Sequence, residues 1–97
     1  METRIYDAAI QRWGAATQIA MFAEECAEAS AAATRYLFRD RGTLAEEVAD
    51  VEIMCAQMRR ILGNDPVDEH KRAKLRRLQE RLAALDASNE SEGDDDE

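Results

Sequence analysis

Two short runs of acids are the part of this sequence best equipped for chemistry: Glu24-Glu25-Cys26-Ala27-Glu28 and Glu47-Val48-Ala49-Asp50. On an α-helix, residues three and four apart lie on one face. Glu25 with Glu28, and Glu47 with Asp50, are therefore two carboxylate pairs if both runs are helical. Like charges so placed repel, and gathering them beside a core adds a desolvation cost. A divalent cation relieves both. Carboxylate oxygens suit Mg²⁺ or Mn²⁺, ions that use few protein ligands and keep waters that a phosphate can replace. The competing reading is that these are ordinary solvated acids with basic partners. Against it, no lysine or arginine stands between Gln18 and Thr34, and Arg35 is too far along the helix to pair with Glu28.

The elements that must position these acids are helices. Glycines and a proline divide the chain into four apolar-periodic segments. Residues 3–13 carry Ile5, Ala9 and Trp13 at four-residue steps. Residues 16–38 carry a stripe of Ile19, Phe22, Cys26, Ala29, Ala33 and Leu37. Thr43 is placed to N-cap a third helix, with Glu46 completing a capping box. The stripe of that helix reads Leu44, Val48, Val51, Cys55, Met58 and Leu62, and Gly63 is its natural stop. After Asn64-Asp65-Pro66, Leu75, Leu78, Leu82 and Leu85 mark a fourth. No segment alternates as a strand does.

The expected fold is all-α: a four-helix antiparallel bundle-like protomer with a central helical hairpin. Only about four residues, Arg39 to Gly42, join the second and third helices, which makes them antiparallel neighbours. The two acid pairs then face each other across the gap, beside the apolar stripes, with Met21 sharing one acidic face and Met54 and Ile61 the other. Ile53 falls opposite the third helix's apolar stripe.

Composition sets the outer bounds. Ninety-seven residues make one small domain that buries a modest share of its surface, so assembly into a homo-oligomer, a dimer or tetramer, is expected. Seven of the 21 acids fall in residues 86–97, which contain no base, leaving 14 acids against 13 bases elsewhere. The division expected is a helical domain over 1–85 and a disordered acidic tail over 86–97. No run approaches the length of a membrane span, the N-terminus lacks the apolar run of a signal peptide, and two cysteines in such a chain point to free thiols in a reducing cytoplasm. Both fall on apolar stripes and read as buried. The overall charge disfavours a nucleic-acid polymer as partner, although 71–81 is locally basic.

Glu24-Glu25-x-x-Glu28, eighteen residues, then Glu47-x-x-Asp50 resembles the EExxE…ExxD signature of MazG-like nucleotide pyrophosphohydrolases. Trp13-Gly14-x-x-x-Gln18 precedes the first motif as in small members of that family. Glu46 to Met54 looks like its third helix, and Lys74-x-x-Arg77-Leu78 like its basic C-terminal helix. The likeness covers about residues 8–85. It implies Mg²⁺-dependent cleavage of a nucleoside triphosphate between the α- and β-phosphates, giving a nucleoside monophosphate and pyrophosphate. Glu25, Glu28, Glu47 and Asp50 would hold the ion. Glu24, turned away from Glu25 by one residue, would orient or deprotonate the attacking water, or hold a second ion. Lys74 and Arg77 would meet the phosphates, or else form a solvated basic face. Trp13, Gln18 and Phe22 would border a base pocket, although Trp13 and Phe22 equally suit the core.

The chain departs from the family in lacking the second domain of longer MazG enzymes, so the site must be complete alone or through assembly. Relatives acting on phosphoribosyl-ATP carry an aromatic and a histidine after the Asp. Val51-Glu52-Ile53-Met54 stands there instead, which disfavours that alternative. His70, the only histidine, lies in the turn region, and neither a zinc site nor Glu-x-x-His di-iron pairs can be built. A helical protein-interaction adaptor without catalysis is the reading from another class. Cation binding at the carboxylates separates it from the enzyme.

Overall fold

A computed structural model describes residues 1–39 and 42–95, with side chains through residue 89. Every regular element among them is a helix: α1 (Glu2–Trp13), α2 (Ala15–Phe38), α3 (Leu44–Leu62) and α4 (Asn64–Asp95). Each starts within two residues of the position set by the apolar periodicity, α4 excepted. That helix begins ahead of Pro66, which sits in its first turn, where a missing N–H leaves no intrahelical bond unmade. None of the described helices is long and apolar enough to cross a membrane.

Gly14 separates α1 from α2, and Gly63 ends α3. Both adopt φ of 92° with ψ near 150°, a region essentially restricted to glycine. Space is not the constraint at Gly14, since a Cβ there would meet nothing within 4 Å. The backbone conformation itself demands the residue. Thr43 precedes α3 but makes no side-chain cap bond. The expected capping box with Glu46 does not form. Instead the Thr43 hydroxyl accepts a long bond, 3.5 Å, from the Arg35 guanidinium of α2, an interaction across the hairpin that local sequence does not reveal.

By packing, the chain divides into Met1–Asn64 and Asp65–Glu97. In the first unit α1, α2 and α3 pack on one another. The second is α4, which runs on through Asp95. Ala83, Ala84 and Ala87 are strong helix formers, and extending an existing helix is far easier than nucleating one. Residues 96 and 97 lie outside the described residues.

The α2–α3 hairpin is antiparallel. Gln18 meets Gln57, Glu25 meets Asp50 and Arg35 meets Thr43, so positions advance along one helix as they recede along the other. Helix α1 is clamped to α3 by a bidentate ion pair from the Arg60 guanidinium (Nε and Nη2) to the Asp7 carboxylate at 2.7 and 2.8 Å.

The buried seam is rotated from the one that the larger apolar side chains marked. Gln18 and Ala32 of α2 and Met54, Gln57 and Met58 of α3 are buried. Phe22, Glu25, Cys26, Ala29 and Ala33 on α2, and Glu47, Asp50, Val51 and Ile61 on α3, are half-buried. Ile19, Leu37, Val48 and Leu62 are all exposed, Leu37 at 70%. Cys55 is exposed too, against expectation, while Cys26 is half-buried. Ala29 and Ala32 let the helices approach closely, and the unbranched Met54 and Met58 fill what remains. The contact thus runs along 18, 22, 25, 29 and 32, which is also the acidic face.

Candidate metal centre

That rotation moves the acids from the rim of the hairpin into its seam. Glu25 comes from the middle of α2; Glu47 and Asp50 come from adjacent turns near the start of α3. Each offers a carboxylate oxygen within 4.8 Å of the others, and all three residues are half-buried. One oxygen of Glu25 and one of Glu47 are shut away from solvent with no hydrogen-bond donor to meet them. Orphaned buried acceptors are costly, and here two converge on one place.

The electrostatics agree. Burial raises the Glu25 carboxyl above the ordinary glutamate range, and the charges of Glu28, Asp50 and Glu47 push it further. Burial likewise raises Glu47, helped by Glu28, Asp50 and Glu46; Arg35 pulls the other way more weakly than any of these. Among the described residues, Arg35 is the cation that Glu47 feels. It acts on Glu47 from across the hairpin, and it does not offset the repulsion. The solvated-acid reading fares poorly for Glu25 and Glu47.

Other sequence-designated residues fall in distinct places. Glu28 is exposed and outside the three-carboxylate cluster, yet near enough to act on Glu25 and Glu47. Glu24 is exposed on α2, adjacent to the ligand set in sequence and free to face solvent. Gln18 is 2% exposed and donates through its Nε2 to Gln57 Oε1, while its own Oε1 has no partner. Phe22 is half-buried between Gln18 and Glu25 along α2. Trp13 is not in the core. It is 59% exposed and shares a shallow groove on α1 with Ile5, Ala8, Ala9 and Arg12. Lys74 and Arg77 lie together with Leu78 and Arg81 on one face of α4, within the second unit.

Gln57 was not singled out from sequence. A signal existed: it stands seven residues after Asp50, as Gln18 stands seven before Glu25, so each lies two turns from an acid on the same face. The seam thus carries two polar layers, a carboxylate cluster and a glutamine pair, separated by Met54. In chemical terms the carboxylate layer is an all-oxygen, net-negative, partly dehydrated site open on the Glu24 and Glu28 side. No protein-family model matches the chain, and neither a curated protein nor a solved structure does.

Proposed function

We propose that this chain is a Mg²⁺-dependent, MazG-like nucleoside-triphosphate pyrophosphohydrolase. The observation that carries the reading is the convergence of Glu25, Glu47 and Asp50 in the α2–α3 seam, with two orphaned carboxylate oxygens and, among the described residues, only the weaker pull of Arg35 on Glu47 to offset their repulsion. The order and spacing of Glu24-Glu25-x-x-Glu28 and Glu47-x-x-Asp50 support the choice of substrate class.

In this proposal Glu25, Glu47 and Asp50 hold the ion, with Glu28 as the fourth ligand from the open side. Bound there, Mg²⁺ supplies charge neutralisation to the phosphates of the substrate. Glu24, solvent-facing and next to the ligands, accepts a hydrogen bond from the attacking water and takes its proton. Lys74 and Arg77 contribute positive charge to the polyphosphate. Gln18 and Phe22 lie along the seam from the acids and give the nucleoside a polar and an apolar neighbour. Trp13, exposed at the end of α1, would border the same pocket. We further propose that the chain works as a homodimer or homotetramer, given how many large apolar side chains stay exposed, in the reducing cytoplasm, where the exposed thiol of Cys55 stays free.

A panel of nucleoside triphosphates incubated with Mg²⁺, with monophosphate and pyrophosphate both quantified, tests the activity. Equal yields of the two products support it. Absence of turnover with every base and sugar, alongside retained cation binding, would leave a metal-binding helical module in its place. Absence of both would favour the adaptor.

A further inference from the structure

Helix α4 is the sole element of the second unit, and from Lys71 to Asn89 every described residue is exposed. Its leucines, Leu75, Leu78, Leu82 and Leu85, are each about half exposed, the extent to which a helix's own turns cover a side chain. Single helices are marginal in water without an apolar partner. The leucines follow steps of three, four and three, which places Leu75 and Leu82 at heptad positions a and leaves Leu78 and Leu85 at d. They span an arc of only about 80°. A stripe that narrow is a coiled-coil seam, narrower than the face that seats a helix on a globular core or a lipid surface. α4 also contains no aromatic residue, whereas interfacial membrane helices rely on them.

We infer that the leucine stripe of α4 is a docking surface for α4 of a second copy of this chain, the two helices running parallel. The flanking charges give the partner and the direction. In a parallel pair, position g of one helix meets position e five residues on in the other. That rule sets Arg81 against Asp86 of the second copy, twice by symmetry, and Lys74 against the neutral Gln79. An antiparallel pair with Leu75 against Leu85 would instead set g against g and e against e, bringing the two Arg81 side chains together while Asp86 faces Arg72. The next a position after Leu82 is Asn89, and an asparagine at one a position favours two strands in register by bonding its counterpart. Lys71, at the d position before Leu75, closes the seam at the other end. Two heptads make a short coiled coil, so the association is weak and concentration-dependent.

Disulfide trapping on the full chain tests this. In a background with Cys26→Ala and Cys55→Ala, Leu85→Cys or Leu75→Cys is introduced and mildly oxidised over a concentration series. In parallel helices each variant links to itself and yields a covalent pair of twice the 10.9 kDa chain. A mixture of the two yields no cross-linked heteropair, because positions 75 and 85 lie about 15 Å apart along the axis. Adding Arg81→Asp should abolish the Leu85→Cys link, and Arg81→Asp with Asp86→Arg should restore it. Unchanged far-ultraviolet circular dichroism in each variant shows that the helices are intact. Links confined to the heteropair would overturn the parallel arrangement. No links at any concentration would overturn the docking surface, as would links lost on adding phosphatidylserine vesicles that bind the chain. None of these readings depends on turnover or on a bound cation.

Discussion

The α2–α3 seam and α4 use their side chains in opposite ways. The seam buries what a helix usually exposes: two glutamines, and three carboxylates half-way. α4 exposes what a helix usually buries, four leucines in a row. The smaller of the two apolar surfaces went into the hairpin because alanines at 29 and 32 allow close approach, and close approach is what brings Glu25 to Glu47 and Asp50. A hairpin packed through Ile19, Leu37, Val48 and Leu62 would have been more hydrophobic and would have left the acids apart in water. The contrast teaches that the first unit gives up stability at the place where it gathers charge, while the second leaves its apolar stripe exposed.

The largest difference expected between the regions is in rate. Glu24→Gln preserves size but removes the base, and turnover should fall roughly 10²–10⁴-fold while cation affinity is kept. Glu25→Gln or Glu47→Gln should lower both together. Leu82→Gln, on the exposed stripe, should leave turnover per assembled site unchanged. Steady-state kinetics beside calorimetric titration with a non-hydrolysable triphosphate separates the three behaviours. A wild-type rate in Glu24→Gln would make Glu24 a solvated acid only.

Next in size is stability. Met54→Ala or Met58→Ala deletes side chains that are 5% and 8% exposed and should cost about 2–5 kcal/mol, enough to unfold much of a three-helix unit. Leu78→Ala should cost far less in the same thermal melt. Equal losses would mean that the leucine stripe is already packed in the single chain. Gly14→Ala should cost about 1–3 kcal/mol from backbone strain alone, read as a lower melting temperature with unaltered helix content.

Smaller again is the effect of pH on the metal-free protein. Glu25 and Glu47 bind protons more tightly folded than unfolded. Stability should therefore be greatest below their ordinary value of about 4.5 and decline as pH rises through the raised values. Asp7 has the opposite sign. Arg60 lowers it from 3.8, so its contribution is present above that value and lost as pH falls beneath it. Melts taken between pH 4.5 and neutrality isolate the two glutamates. A rise in stability over that interval would contradict the cluster's electrostatics.

How far the sequence reveals all this depends on the length scale of the cause. Helix positions were legible because glycine at 14 and 63 and apolar steps of three and four act locally. The acidic pairs were legible because i, i+3 spacing fixes a face. The rotation of the seam was not, since it turns on alanine against leucine in the closeness of two helices, a property of the pair. The Gln18–Gln57 bond, the Asp7–Arg60 clamp and the reach of Arg35 toward Glu47 all join residues on different helices. The lost capping box at Thr43 goes with its backbone, which is already helical (φ -105°, ψ -9°) where an N-cap is usually extended.

The central claim is that the seam acids form a cation site, and the melting temperature with and without Mg²⁺ tests it most directly when wild type and Asp50→Asn are compared. Without the ion, Asp50→Asn should melt higher than wild type, because one of the repelling charges is gone. With millimolar Mg²⁺ or Mn²⁺ the order should reverse: wild type rises as the ion binds the folded state, and Asp50→Asn stays where it was. A wild type that melts identically with and without the ion, below its variant in both, would contradict the account.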